Sequence, residues 1–309
     1  MIKVENLTKR YGKVEAISKL NFQIEKGEIV GFLGPNGAGK STTMKILTGF
    51  LPPSEGKVEI FGHDVLEDSL EARKKIGYLP ENAPLYLDMT VIGLLKYCSE
   101  LKGIEKEKRA DQIEKIINET GLPEVKNRII KTLSKGFRQR VSLAQALVGD
   151  PEFLILDEPT ITLDPKQVTE IRKLIKELGK SRTIILSTHI LSEVSAICDR
   201  VIIISKGKIV ASDTPENLTA GMGNIEKVIV KIKGPVGEVI AHLQSISDVK
   251  KASEKDRMDN NMASYVVESD KGTDLNKIIA REVIGKGWDL LELKKEAMEL
   301  EDVFLKLIK

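Results

Sequence analysis

Gly34-Pro35-Asn36-Gly37-Ala38-Gly39-Lys40-Ser41-Thr42 is the stretch on which the reading of this chain turns. It has the P-loop spacing of a glycine, four residues, then Gly-Lys-Ser. Ahead of it, residues 28–33 form a short apolar run of the kind that makes a buried strand. Behind it, residues 43–48 begin a helical pattern. The chemistry explains the composition. Glycines let the backbone close around phosphate oxygens with several N–H groups turned inward. A helix N-terminus adds partial positive charge, Lys40 adds a full one, and the Ser41 hydroxyl can ligate Mg²⁺. A glycine-rich turn between strand and helix is the competing account. With both neighbours in place, binding of a nucleoside triphosphate is the better one.

The chain has 309 residues, enough for two domains or one large one. Its formal charge of +2 comes without a long basic tract, and only 4% of its residues are aromatic, which argues against nucleic acid as a partner. Cys98 and Cys198 have no metal or redox spacing and fit a reduced, cytosolic compartment. No signal peptide is expected at the N-terminus, and the apolar runs are too short to span a bilayer.

Along the chain, residues 2–9 and 20–24 alternate apolar and polar like edge strands, and residues 56–62 read as another strand. These predict an antiparallel β layer beside the P-loop. Residues 90–101 and 106–120 have the periodicity of amphipathic helices, and a further helix opens at Ser134, a plausible N-cap. Residues 153–156, 183–189 and 201–205 read as strands, with a helix over 166–178. Strands alternating with helices predict an α/β domain with a mainly parallel core sheet and its ligand beyond the carboxyl ends of the strands. The composition shifts at 219–224, read as a linker. The rest predicts strand, helix, two strands separated by the polar stretch 254–261, helix and strand. That order is ferredoxin-like, and a last helix follows over 300–308.

The apolar run 153–156 ends in Asp157-Glu158. One carboxylate there can hold Mg²⁺ opposite Ser41, and its neighbour can take the proton of an attacking water. Alone, two acids at a strand end are as well explained by solvation. A P-loop upstream shifts that balance toward chemistry.

Leu133-Ser134-Lys135-Gly136, just ahead of this strand, resembles the signature motif of the ATP-binding cassette (ABC) ATPases, a family within the P-loop NTPases. The resemblance covers residues 1–218, read as the ATP-binding domain with a helical subdomain over 88–150; residues 225–309 are read as an accessory α+β domain. Tyr11 matches the aromatic residue that stacks on adenine, residues 34–42 Walker A, 154–158 Walker B, 160–164 the D-loop with Asp164, and His189 the switch histidine. Four positions, in three motifs, depart from the common pattern. Glu81 stands where the Q-loop glutamine is usual, Lys135 and Phe137 replace signature residues, and Thr162 stands at a small D-loop residue. The first two look like traits of the exporter-type branch that includes multidrug and gliding-motility ATPases.

The resemblance implies an ATPase that works as a head-to-tail homodimer or as a heterodimer with a related subunit. Ser134, Lys135 and Gly136 would face the ATP of the partner. Glu158 would be the general base, His189 the γ-phosphate sensor and Lys40 the charge stabiliser. Mg²⁺ would be held by Ser41, Asp157 and Glu81, the last a third carboxylate beside Asp157 and Glu158. An integral-membrane permease would be the partner, reached through residues 82–86, leaving the chain cytoplasmic and peripheral on the inner face of the membrane. A soluble ABC ATPase acting on ribosomes or DNA is the alternative. Such members usually have two cassettes in one chain or long coiled coils, and neither pattern occurs in this sequence.

Overall fold

Runs such as Ile29–Leu33, Phe153–Asp157 and Thr183–Thr188 carry apolar side chains on both faces, so they are stable only in a sheet covered on both sides. In a computed structural model of the chain, which describes residues 1–221, 225–270, 272–296 and 300–307, all three are buried along their whole length. The chain divides into two compact units, Met1–Pro215 and Glu216–Leu307.

The first unit opens with β1 (Ile2–Tyr11), β2 (Val14–Ile24) and β3 (Ile29–Leu33), then α1 (Lys40–Leu47). β4 (Glu55–Ile60), β5 (His63–Asp64), α2 (Ser69–Lys74) and β6 (Ile76–Leu79) follow. The helical stretch consists of α3 (Val91–Leu101), α4 (Lys106–Glu119) and α5 (Lys135–Leu147). β7 (Phe153–Asp157), α6 (Pro165–Gly179), β8 (Thr183–Thr188), α7 (Leu191–Ile197), β9 (Arg200–Ser205) and β10 (Lys208–Asp213) complete the unit. A further helix, α8 (Pro215–Gly221), begins at the division between the units.

β2-β1-β4-β5 form an antiparallel sheet. The larger sheet has the order β10-β9-β3-β8-β7-β6 and is parallel throughout, except for the antiparallel β10 edge. Ile2, Leu7 and Val58 of the antiparallel layer share one core with Phe32, Ile155 and Ile185 of the parallel sheet and with Met44 and Leu47 of α1. Each such fully buried side chain stabilises the fold by about 1.5–3 kcal/mol.

Register then fixes where the strands end. Leu33 pairs with Thr188, Asp157 with Ser187, and Leu79 with Leu156. The carboxyl ends of β3, β8, β7 and β6 therefore lie side by side along one edge of the sheet.

The helices are placed by local signals. The Thr90 hydroxyl accepts from Gly93 N–H and starts α3, and Ser134 accepts from Phe137 N–H and starts α5. Ile113, Ile116 and Ile117 form the buried stripe of α4. α5 lies close against β6 at Gly77, where a Cβ would stand 2.3 Å from the Ala146 carbonyl oxygen and 2.7 Å from Leu154 Cδ2.

The second unit contains β11 (Ile225–Lys233), α9 (Val236–Ser245), β12 (Val249–Asp259), β13 (Met262–Asp270), α10 (Leu275–Gly285), β14 (Asp289–Glu296) and α11 (Leu300–Leu307). Its antiparallel sheet has the order β12-β13-β11-β14, the ferredoxin-like arrangement of a βαββαβ chain. Val228, Val230 and Ile232, at period two on β11, meet Val239 and Leu243 of α9 and Ile279 and Val283 of α10.

Here the structure corrects part of the sequence reading. The stretch 254–259 is not a connection but the outer half of β12, and the turn is confined to Asn260-Asn261, where Asn261 N–H donates to Asp259 Oδ1 at 2.7 Å. β12 is an edge strand whose residues 253–259 are all exposed, so polarity there marks an outward edge and not a loop. Of the stretch read as a linker, 219–221 belong to α8, and 222–224 lie outside the described residues, as does residue 308 of the last helix.

Gly77→Ala is expected to lower stability by about 1–3 kcal/mol through overpacking against backbone. The urea unfolding midpoint measures this; an unchanged midpoint would show that α5 and β6 can move apart at no cost.

Candidate nucleotide-binding site

Residues just past the aligned strand ends meet in one cleft of about 380 Å³. Asn36, Gly37, Gly39, Lys40, Ser41 and Thr42 line it together with Glu81, Glu158 and His189. Gly39, the N-cap of α1, has φ +107°. A Cβ there would lie 2.5 Å from Ile17 Cγ2 and 2.9 Å from the Ala16 carbonyl, so only glycine can make this turn. The first turn of α1 carries no acidic residue, which leaves the positive end of its dipole facing the cleft uncancelled.

Lys40 is buried, at 6% exposure. Its Nζ donates to the carbonyls of Gly34 at 2.8 Å and Pro35 at 3.3 Å and lies 3.5 Å from Glu158 Oε1. Ala38 is buried beneath the loop, its N–H donating to Pro35 O. Glu158 is also buried, and His189 Nδ1 stands 3.0 Å from both of its carboxylate oxygens. Glu158 adopts φ +51°, so the chain leaves the sheet directly after Asp157, while Glu158 N–H still donates to Ser187 O. Asp157 ends β7 at 2% exposure. Burial pushes its carboxyl above the usual range, opposed by the nearby hydroxyls of Ser187 and Ser41.

Ser41 Oγ donates to Asp157 Oδ1 at 3.4 Å. Among the described residues no cluster of three or more His, Cys, Asp or Glu forms a metal cage. A hydroxyl and a carboxylate side by side nevertheless fit Mg²⁺, a hard cation that takes most of its ligands from phosphates and water. Glu81 lines the same cleft from beyond β6 and is exposed.

Other residues singled out in the sequence lie elsewhere. Tyr11 ends β1 with half its surface exposed and its ring 5.5 Å from Lys9 Nζ, and it is not part of the cleft lining. Ser134 and Gly136 open onto a different cleft, shared with Asp164, which caps α6 by accepting from Gln167 N–H at 2.9 Å. Lys135 points to a third cleft, with Glu81, Arg138, Gln139, Ile161 and Thr162. Ala16 and Ile161 complete the first lining, and Gln139 Nε2 donates to the Pro159 carbonyl. Ile161 falls within the stretch 160–164 matched to the D-loop, whereas no motif announces Ala16 or Gln139, which acquire meaning only from their neighbours in space.

A family model described as ABC transporter matches residues 17–161. An uncharacterized ABC transporter ATP-binding protein of Methanocaldococcus jannaschii is 40% identical over 248 residues, 79% of this chain and 90% of its own. The chain belongs to the ABC transporter ATPases. Bacitracin transport ATP-binding protein BcrA of Bacillus licheniformis is 40% identical over 211 residues, 68% of each chain. A dimeric post-hydrolysis state of an ATP-binding cassette, bound to ADP and Pi, superposes with a TM-score of 0.62 at 28% identity, covering 69% of this chain and 98% of that one. This ABC ATPase is accordingly an ATP-hydrolysing subunit of a transporter, built on the P-loop cassette fold.

The departure at Thr162 has a backbone counterpart. The residue sits at φ +67°, a left-handed conformation that costs a β-branched side chain about 1–2 kcal/mol, and its hydroxyl donates back to the Ile161 carbonyl. Thr162→Gly removes that strain but adds about 0.5–1 kcal/mol of backbone entropy cost. A net gain of about 0.5–1 kcal/mol is expected, read from the unfolding midpoint. A lower midpoint in the variant would show that the threonine is comfortable as it stands.

Proposed function

We propose that this ABC ATPase energises a transporter of the exporter type by ATP-driven, head-to-tail pairing of two cassettes, each copy completing the nucleotide site of the other. The observation that carries this reading is the separation of the two phosphate-binding features. The P-loop, Glu158 and His189 line one cleft, whereas the N-terminal end of α5, with Ser134 and Gly136, lines another. A helix N-terminus capped by serine is an anion site, and within one copy it does not share a cleft with Lys40. Two copies related by a two-fold axis would bring each such end to the other's P-loop, and residues 160–164 would run along the seam. The dimeric cassette with ADP and Pi is the precedent among solved relatives.

In this reading Lys40 offsets charge on the transferring phosphoryl group, and its burial strengthens that effect. Glu158, held between Lys40 and His189, takes a proton from the attacking water. His189 orients the Glu158 carboxylate and presents its ring to the γ-phosphate. Bound at Ser41 and Asp157, Mg²⁺ would supply further charge stabilisation on the phosphate oxygens.

For the permease, support comes from the segment that follows Glu81. Tyr86 is 57% exposed and makes an edge-to-face contact with Tyr97, their centroids 5.5 Å apart. Leu87 and Leu101 are exposed as well. Aromatic side chains presented to solvent suit a docking partner. No helix among the described residues is long and apolar enough to cross a membrane, so the membrane-spanning part would be supplied by that partner, with this subunit on the cytoplasmic face. An ABC ATPase not coupled to a permease remains the alternative function.

Glu158→Gln is expected to bind ATP and to lower kcat by about 10²–10⁴-fold, with the ATP-bound variant accumulating as a dimer in size-exclusion chromatography. Turnover at the wild-type rate would remove Glu158 from the role of base. The tagged chain, solubilised with membranes from its own source, should co-purify with an integral-membrane protein; recovery of the ATPase alone would favour the uncoupled alternative.

A further inference from the structure

We propose that Glu193 is a positioning residue of the hydrolytic site, joining the segment that leaves Glu158 to the turn that carries His189. Glu193 lies in α7 and has no exposed surface. Its Oε1 accepts from the Thr160 hydroxyl, and its Oε2 accepts from the Thr188 hydroxyl at 2.7 Å. Thr188 Oγ1 in turn accepts Ile190 N–H at 3.0 Å, which closes the turn around His189. Thr160 follows Glu158 by two residues and Thr188 immediately precedes His189. One carboxylate thus holds both chain segments whose side chains pair at the cleft.

The choice of a carboxylate here is costly. Burying it requires desolvation, and the nearest cation, Arg172 Nη2, is 3.9 Å away and is also hydrogen-bonded to Ser192 Oγ. An apolar side chain of similar size would fill the space without that cost. What it could not do is accept from two hydroxyls on different loops at once.

The geometry also gives the strut a direction. Beyond Thr160, the chain turns through Ile161 N–H to Glu158 O and Leu163 N–H to Thr160 O, both at 3.2 Å. Residues 161, 162 and 164 line the three clefts between them. Resting on the proposed pairing of cassettes, displacement of this segment by a second copy would pass through Thr160 and Glu193 to Thr188 and so reset His189 against Glu158.

The test uses the full chain and follows steady-state ATP hydrolysis together with ATP binding by equilibrium titration. Glu193→Gln replaces one acceptor oxygen by an NH₂ group that cannot accept, and Thr160→Val removes one donor at nearly constant shape. Each should lower kcat by about tenfold to a hundredfold while the KM and the affinity for ATP stay within about twofold. Thr160→Ser restores the hydroxyl and should restore kcat. The double variant should be no slower than the worse single one, since both break the same strut. Unchanged kcat in Thr160→Val, equal loss in Thr160→Ser, or losses that multiply in the double variant would overturn the proposal. If Glu193→Gln fails to fold, the Thr160 pair decides alone. A wild-type chain that hydrolyses ATP without ever dimerising would sink the pairing of cassettes but leave the kcat readout of the strut intact.

Discussion

The parallel register of four strands is the constraint from which the rest of this molecule follows. β3, β8, β7 and β6 run the same way, and each stops within a residue of its neighbour. Whatever follows each strand is delivered to one edge. That is how Lys40, Glu81, Glu158 and His189, far apart in the sequence, come to line a single cleft. The register is held by side chains that never touch the cleft. Ile155, Ile185 and Phe32 are wholly buried in the core between the sheets, and a slip of one residue would turn them toward the wrong face.

Burial then governs the electrostatics. Lys40, Asp157 and Glu158 are all withdrawn from water, where isolated charges would be prohibitive. They are tolerated because each has a partner of suitable kind: the two P-loop carbonyls for Lys40, the Ser41 hydroxyl for Asp157, and Lys40 and His189 for Glu158. The arrangement is compact but unsymmetrical. Asp157 accepts from a neutral hydroxyl, whereas Glu158 sits beside cationic or ionisable nitrogens, so adjacent acids in the sequence are given different environments.

Much of this is legible in the sequence. Apolar runs bounded by turns gave the strands, because strands buried on both faces leave no room for polar residues. The P-loop and the acid pair were legible because phosphate chemistry restricts the residue types tightly. Three features were not. The outer half of β12 reads as a loop because an exposed edge strand and a polar connection share a composition. Thr162 shows only that a small residue is missing; its left-handed backbone, which makes glycine the easier choice, has no counterpart in hydropathy. Glu193 looks like an ordinary acid in the first turn of a helix. Only the folding of two distant threonines onto it distinguishes it from a solvated one.

β12 carries its own consequence. From Lys250 to Asp259 this edge strand is almost wholly exposed and dense in lysine, glutamate, aspartate and arginine, with both signs intermixed. A long edge with unpaired amides is a template on which other chains can polymerise. Here any approaching strand would have to strip water from closely spaced charges before its first ladder bond formed. The hairpin can therefore be long without inviting aggregation: its solubility is written in the same residues that disguise it as a loop.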